Sequence, residues 1–314
     1  MGTYKITERQ IIGWIYEYLS SATGASWVGA ISALMQSDQE SEEYAWLGAS
    51  PAMREWVGGR LAKGLRENGF TIRNQKYEAT IEILGDWLRR DKTGQIEARI
   101  RQLAQRATTH WASLLSTLII NGESTACYDG QYFFDTDHSE GDSGALSNDL
   151  SVDISALPAN VHGSTTAPSV EEMQQSIIQA IAQIMSFKDD QGEPVNEDAT
   201  DFVLMAPISL WIPARNAVTM NLVGAGETSQ LALNDFNVRV VGNPRLTWTT
   251  KFALFRADGI NPPLIRQEEV PLRVSALAEG SELEFNEDKH QYGVWASRAV
   301  GYGFWQSACL VTLA

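Results

Sequence analysis

The stretch from Tyr44 to Ile83 restricts what this chain can become more than any other segment. It holds five glycines (Gly48, Gly58, Gly59, Gly64, Gly69) and six basic residues (Arg54, Arg60, Lys63, Arg66, Arg73, Lys76). It closes on a run in which Tyr77, Ala79, Ile81 and Ile83 alternate onto one face, the period of a strand. Glycines set this close together permit turns that other residues resist, so they fit a bent hairpin or loop better than a packed core. A two-stranded arm is marginally stable alone. It has to lie against something, and the expectation is a protein completed by its neighbours.

Charge is unevenly spread. Residues 54–106 carry twelve Lys/Arg against seven Asp/Glu, a net of +5, in a chain whose formal net charge is −15, so the remainder carries −20. A field of that sign repels nucleic acid, which argues against sequence-specific DNA binding by the surface as a whole. Acidity alone is ordinary solubilising charge; the sharper reading sets a basic arm against the acidic body of another copy. The two cysteines, Cys127 and Cys309, form no CxxC pair and are too few for a disulfide framework, which fits synthesis in a reducing cytoplasm. Glu8, Arg9 and Glu17 interrupt the N-terminal apolar stretch, unlike a signal peptide, and no run reaches the length of a membrane span.

Along the chain, Thr7 with Gln10 predicts the start of an amphipathic helix over 7–20, and Trp27–Met35 reads as a further helical turn or two. Ile96, Ile100, Leu103, Ala107, Trp111, Leu114 and Leu118 recur at steps of three and four, predicting one long helix that Asn121-Gly122 ends. Residues 122–168 are loop-rich. Ser169 with Glu172 caps a second helix. FVLMA (202–206) predicts a buried strand, Pro207 opens a helix that Pro213 should bend or end, and strands follow at 237–241, 251–256 and 264–274, with a sheet-forming tail over 292–313. Helices and strands mix without a βαβ repeat, so the class is α+β.

The candidate chemistry is thin. Gly141-Asp142-Ser143-Gly144 spells the nucleophile motif of trypsin-like proteases, but a serine needs a placed histidine and aspartate, and His110, His162 and His290 lie in no such setting. Asp135, Asp137 and His138 are plausible metal ligands, yet a fourth ligand is missing and loop aspartates usually bond nearby backbone. No phosphate loop, dinucleotide fingerprint or zinc pairing occurs. The reading is a non-enzyme with no catalytic residue, no cofactor and no metal.

Two motifs carry a resemblance. Within YAWLGASPAMREWVGGR, the residues Trp46-Leu47-Gly48, Pro51 and Arg54-Glu55-Trp56-Val57-Gly58, together with CYDGQYFFDTDH (127–138), resemble Mu-like prophage major head subunits. The resemblance implies the Hong Kong 97 (HK97-like) phage capsid fold. It assigns 1–47 to an N-terminal arm, 48–88 to an extended loop (a β-hairpin), and 89–168 to a peripheral domain with a spine helix at about 95–121. Residues 169–262 become an axial domain, and 263–314 return strands of the peripheral and axial sheets. FFDTDH is then structural.

On that basis the chain is expected to be a major capsid protein that self-assembles into pentamers and hexamers of an icosahedral shell around double-stranded DNA. It would be made in the host cytoplasm and reside in the virion, with no membrane partner. Portal, scaffold or protease, and decoration proteins are expected partners. Arg54, Trp56, Arg60, Lys63 and Arg66 are the expected intersubunit contacts. The alternatives are an encapsulin-like nanocompartment shell of the same fold and, from another class, a hydrolase using Ser143 or the Asp135/Asp137/His138 set.

Overall fold

Two hydrophobic patterns mark the two larger sheets of the chain, beside which stand three two-stranded pairings among the described residues. The computed structural model describes residues 6–22, 24–47, 67–90, 94–220, 222–223, 227–228 and 236–314. The expected contacts Arg54, Trp56, Arg60, Lys63 and Arg66 lie outside the described residues.

The N-terminal half runs α1 (Glu8–Ser21), β1 (Ser32–Gln36), β2 (Ser41–Leu47), β3 (Glu67–Arg73), β4 (Gln75–Leu84), α2 (Gly85–Arg90), α3 (Gln95–Thr108) and α4 (His110–Ile120). Short strands β5 (His138–Ser139) and β6 (Ala145–Leu146) precede β7 (Asp149–Val152). Then come α5 (Val170–Met185), β8 (Asp201–Ala206), α6 (Ile208–Thr219), β9 (Leu222–Val223), β10 (Glu227–Thr228), β11 (Asn237–Gly242) and β12 (Lys251–Arg256). The chain closes with β13 (Leu264–Leu277), α7 (Glu282–Glu287), β14 (Lys289–Tyr302) and β15 (Ala308–Leu313).

One sheet has the order β11-β8-β12-β15-β7. In β8 and β12 five consecutive residues are buried, which requires cover on both faces. Helices α5 and α6 supply part of it, and Phe134 meets Phe255 with ring centroids 6.5 Å apart. The other sheet has the order β1-β13-β14-β4. Here β4 alternates, and Ala79, Ile81 and Ile83 turn toward the apolar face of α1 and α3 (Ile11, Ile15, Ile96, Ile100, Leu103). This is the strand period read in the sequence meeting the helix period read in the sequence. In β13 the register slips around Glu268–Arg273, where Pro271 sits; proline has no amide to give a ladder and is tolerated at such irregularities.

Several expectations need correction. Residues 32–36 are a strand, β1, parallel to β13, and the turns before it span 26–30. The long helix is interrupted at Thr109. Thr108 and Thr109 donate their hydroxyls to the carbonyls of Ala104 and Gln105 (2.9 and 3.0 Å), a local bond that loosens a helix, while the Thr109 amide still reaches Gln105 O at 2.9 Å. Helix α6 runs through Pro213 to Thr219 because the carbonyl that proline leaves unbonded belongs to Ser209, which is exposed to water. The tail, by contrast, is sheet as expected, with β14 in one sheet and β15 in the other.

The hairpin starts earlier than expected. Strand β2 pairs antiparallel with β3 from Ser41↔Arg73 to Leu47↔Glu67, so position 47/48 falls at the end of a ladder rather than before it. Its base rests on the chain's own sheet: Tyr44 Oη donates to Gln267 Oε1 (2.8 Å), and Ile72, Ile265 and Ala299 form a small core. Gly301 makes this approach possible, because a Cβ there would stand 2.5 Å from Ile72 Cδ1 and 2.6 Å from Phe70 Cζ. The expectation that the arm lacks local shelter is therefore corrected for its base. Its glycine-rich portion, 48–66, lies outside the described residues.

A buried Asp–His cluster and the candidate assembly elements

The residues with the strongest look of chemistry form a structural knot. The loop after α4 turns through Tyr128–Gly130, and its Asp129 carboxylate accepts on both oxygens. Oδ2 takes His138 Nδ1 at 2.6 Å, and Oδ1 takes Cys127 Sγ at 3.0 Å and the Gln131 amide at 3.1 Å. His138 is fully buried and stacks on Trp305, with ring centroids 4.0 Å apart and planes 8° apart. Glu140 Oε1 then accepts Trp305 Nε1 (3.1 Å), Gln306 Nε2 (3.2 Å) and the Tyr128 hydroxyl. One polar network ties residues 127–140 to 305–306 across the core, and Phe133 stacks on Tyr302 at 4.6 Å beside it.

The electrostatics follow from burial and partner. Burial raises the Asp129 pKa, but the bonds from His138 and Cys127 outweigh it and hold the carboxyl below its ordinary value. Burial pushes Glu140 up, and its donors only partly counter that. Burial also pushes the Cys127 thiol well above its usual range, with the Asp129 charge adding to the effect, so this is not a reactive thiolate.

Asp135, Asp137 and His138 do not converge. Asp135 accepts the backbone amides of Tyr132 (3.1 Å) and Thr136 (2.7 Å), and Asp137 is exposed. Among the described residues, the group able to gather around an ion is Cys127, Asp129 and His138. Its separations of 2.6 and 3.0 Å are hydrogen-bond lengths with the carboxylate standing between its two donors, so the three groups bond one another as they stand, while His138 Nε2 is buried without a partner among the described residues. Ser143 lies in a tight turn: its Oγ accepts the Glu140 amide and donates to Gly144 O, both at 2.9 Å. Gly141 has φ of 55°, and a Cβ there would meet Asp190 O at 2.4 Å. The GDSG motif serves that packed turn, and its nearest histidine in sequence, His138, is committed to Asp129.

Sequence reasoning singled out His138 but missed Asp129, Glu140, Trp305 and Gln306. The only available signal was an aspartate and a histidine flanking a Phe-Phe pair; nothing marked residues from the far end of the chain.

The exposed apolar side chains are the other candidates for function. Phe285 on α7 and Trp87 on α2 stand out at one end of the four-stranded sheet, 90% and 59% exposed, and Gly85 N bonds Asp288 O to tie those two short helices together. On α6, Ile208 and Ile212 share an outward face. Such residues are normal singly and informative when a protein makes contacts with copies of itself. No helix among the described residues is long and apolar enough to cross a membrane.

Comparison with known proteins gives these surfaces a setting. The sequence profile of the family described as Mu-like prophage major head subunit gpT matches residues 13–158 and 237–312, more than half of the chain. The chain is 37% identical over 111 residues to the Mu-like prophage FluMu major head subunit of Haemophilus influenzae, and 32% identical over 108 residues to the major capsid protein of Escherichia phage Mu. The matched segments span 36% and 35% of those two proteins, little more than a third of each. Among solved structures, the procapsid of bacteriophage JBD30 is similar with a TM-score of 0.54 at 21% identity, covering 97% of this chain and 73% of that one. A virus-like particle from Pyrococcus furiosus gives 0.55 at 9% identity, covering 96% and 98%. At such identities the likeness is one of fold, and it agrees with the α+β, HK97-like architecture expected from the two motifs. This chain belongs to the Mu-like prophage major head subunit gpT family.

Proposed function

We propose that this chain is the major head protein of a Mu-like phage or prophage, assembling as pentamers and hexamers into an icosahedral shell that encloses double-stranded DNA. The observation that carries the reading is the family match over both the hairpin region and the sheet-forming tail. The architecture supports it. A shell asks one chain to make several contacts with identical copies, and a hairpin leaving a two-sheet body is suited to that. On this reading the arm, extended loop, peripheral domain and axial domain keep the boundaries given above, with the loop's ladder beginning at Ser41. Arg54, Trp56, Arg60, Lys63 and Arg66 contact neighbouring subunits. The function is mechanical, without catalysis. Portal, scaffold or protease, and decoration proteins are its partners, and the product is a virion head built in the host cytoplasm. An acidic body, −20 outside residues 54–106, keeps packaged DNA from adhering to the wall.

Electron microscopy of the purified protein tests the reading. Closed particles, rings of five or six, or tubes are expected; a monomer that stays monomeric at high concentration sinks it. The nanocompartment alternative draws on the fold likeness to the Pyrococcus particle. Particles purified from the native source separate the two by content, nuclease-protected DNA against a protein cargo.

A further inference from the structure

A cleft of about 230 Å³ opens between β4, the junction of α3 with α4, and β14, and Tyr77, Arg106, His110 and Arg298 line it. Its charge does not balance. The Arg298 side chain is 2% exposed, and its guanidinium lies over the Trp111 ring, 4.6 Å from the centroid. Arg266 approaches the same ring at 5.7 Å. Between them stands one carboxylate, Glu268, 3.6 Å from Arg298 Nη2. Arg266 Nε is satisfied by Ser32 Oγ (2.8 Å), whereas Arg298 Nε is buried without an acceptor among the described residues. The acidic residue that lines the cleft, Glu78, accepts the Thr80 hydroxyl at 2.7 Å. At the mouth, Arg106 is exposed and has no ion pair among the described residues. His110 packs edge-on to Tyr77, ring centroids 4.5 Å apart; burial first, and then the Arg298 and Arg245 charges, hold it below its ordinary pKa.

A buried guanidinium with a free donor is costly, and a carboxylate that meets it removes the cost through charge-assisted hydrogen bonds. We propose that this cleft receives an aspartate or glutamate side chain from a second copy of the chain, which seats between Arg106 and Arg298 when subunits assemble. Charge complementarity selects that partner: the chain outside residues 54–106 carries −20, so each copy brings an acidic surface to its neighbours. The inference rests on the shell reading above and adds to it a specific contact on the spine.

The test joins a cryo-electron microscopy map of assembled wild-type particles to assembly assays of Arg106→Glu and Arg106→Lys. Expected are a carboxylate of another copy within about 4 Å of the Arg298 or Arg106 guanidinium, at least about tenfold fewer particles for Arg106→Glu at low salt, and near wild-type yield for Arg106→Lys. Arg106 is exposed, so the melting temperature of unassembled Arg106→Glu protein should match wild type. Particles whose cleft holds no carboxylate from another copy overturn the proposal and leave the shell reading standing, as does full assembly by Arg106→Glu. A wild-type protein that forms no particles fails the shell reading itself and takes this contact with it.

Discussion

The two sheets solve the burial problem differently. In the five-stranded sheet β8 and β12 bury consecutive residues, so both faces are covered and the unit completes its own core. In the four-stranded sheet β4 and the second half of β13 alternate, and the side chains of the outward set are at best half-buried. Both sheets end on edge strands, β1 and β4 in this one and β7 and β11 in the other, each with main-chain groups that have no ladder partner on one side among the described residues. The difference teaches where stability and association reside. One half of the molecule buries whole strands, and the other sets a smaller core beneath a surface with clefts, exposed aromatics and the base of a hairpin.

The largest expected effect strikes the self-contained half. Phe255→Ala should cost about 3–5 kcal/mol, because it opens a cavity among fully buried neighbours. Ile81→Ala on the four-stranded sheet should cost only about 1–2 kcal/mol, since that side chain is partly exposed already. Denaturant titration of unassembled protein measures both, and equal losses would erase the contrast. Next is the polar knot: Asp129→Ala strands two buried donors, His138 Nδ1 and Cys127 Sγ, and should cost up to about 3 kcal/mol. A melting temperature within a degree of wild type would mean the knot is decoration rather than a tie.

A pH titration gives a smaller effect. Burial would raise the Asp258 pKa, but Arg256 Nε at 2.8 Å and the Thr200 and Asp201 amides lower it to about 2. A depressed folded-state pKa contributes stability that is present above the unfolded value near 4 and is lost as pH falls through about 2. Asp258 is exposed, so solvent screens the contribution to about 1 kcal/mol, and Asp258→Asn should lower stability at neutral pH by that order and flatten the acid limb between about pH 4 and 2. An unchanged acid limb refutes the assignment. Smallest of all is Arg73→Ala at the hairpin base. Its ion pair with Glu40 (2.7 Å) is about three-quarters exposed on both sides, and its loss should change stability by less than about 1 kcal/mol, less still in high salt.

Legibility in the sequence tracked the range of the interaction. The cap of α5 was readable because Ser169 and Glu172 are three residues apart, and both halves of the capping box form. Strand β12 was readable at its observed bounds from four successive apolar residues, Phe252 to Phe255. Residues 32–36 misled because a short apolar run does not distinguish helix from strand, and β1 exists through its parallel partner β13, more than two hundred residues away. The helix break at Thr109 was hidden because apolar spacing is unaffected by a shallow bend. Of the Asp–His cluster, only the histidine was marked.

What the sequence determined by itself was local: helix starts, strand periods, the hairpin's glycines, the α+β class, and two motifs specific enough to place the chain among phage head subunits. Pairing was decided elsewhere. Whether β14 and β15 share a sheet, whether Ser143 faces a base or a turn, and whether Arg298 finds its counter-charge all depend on groups distant in sequence. Periodicity records only which side of an element is apolar; the identity of what covers that side is fixed when separate segments compete for the same space.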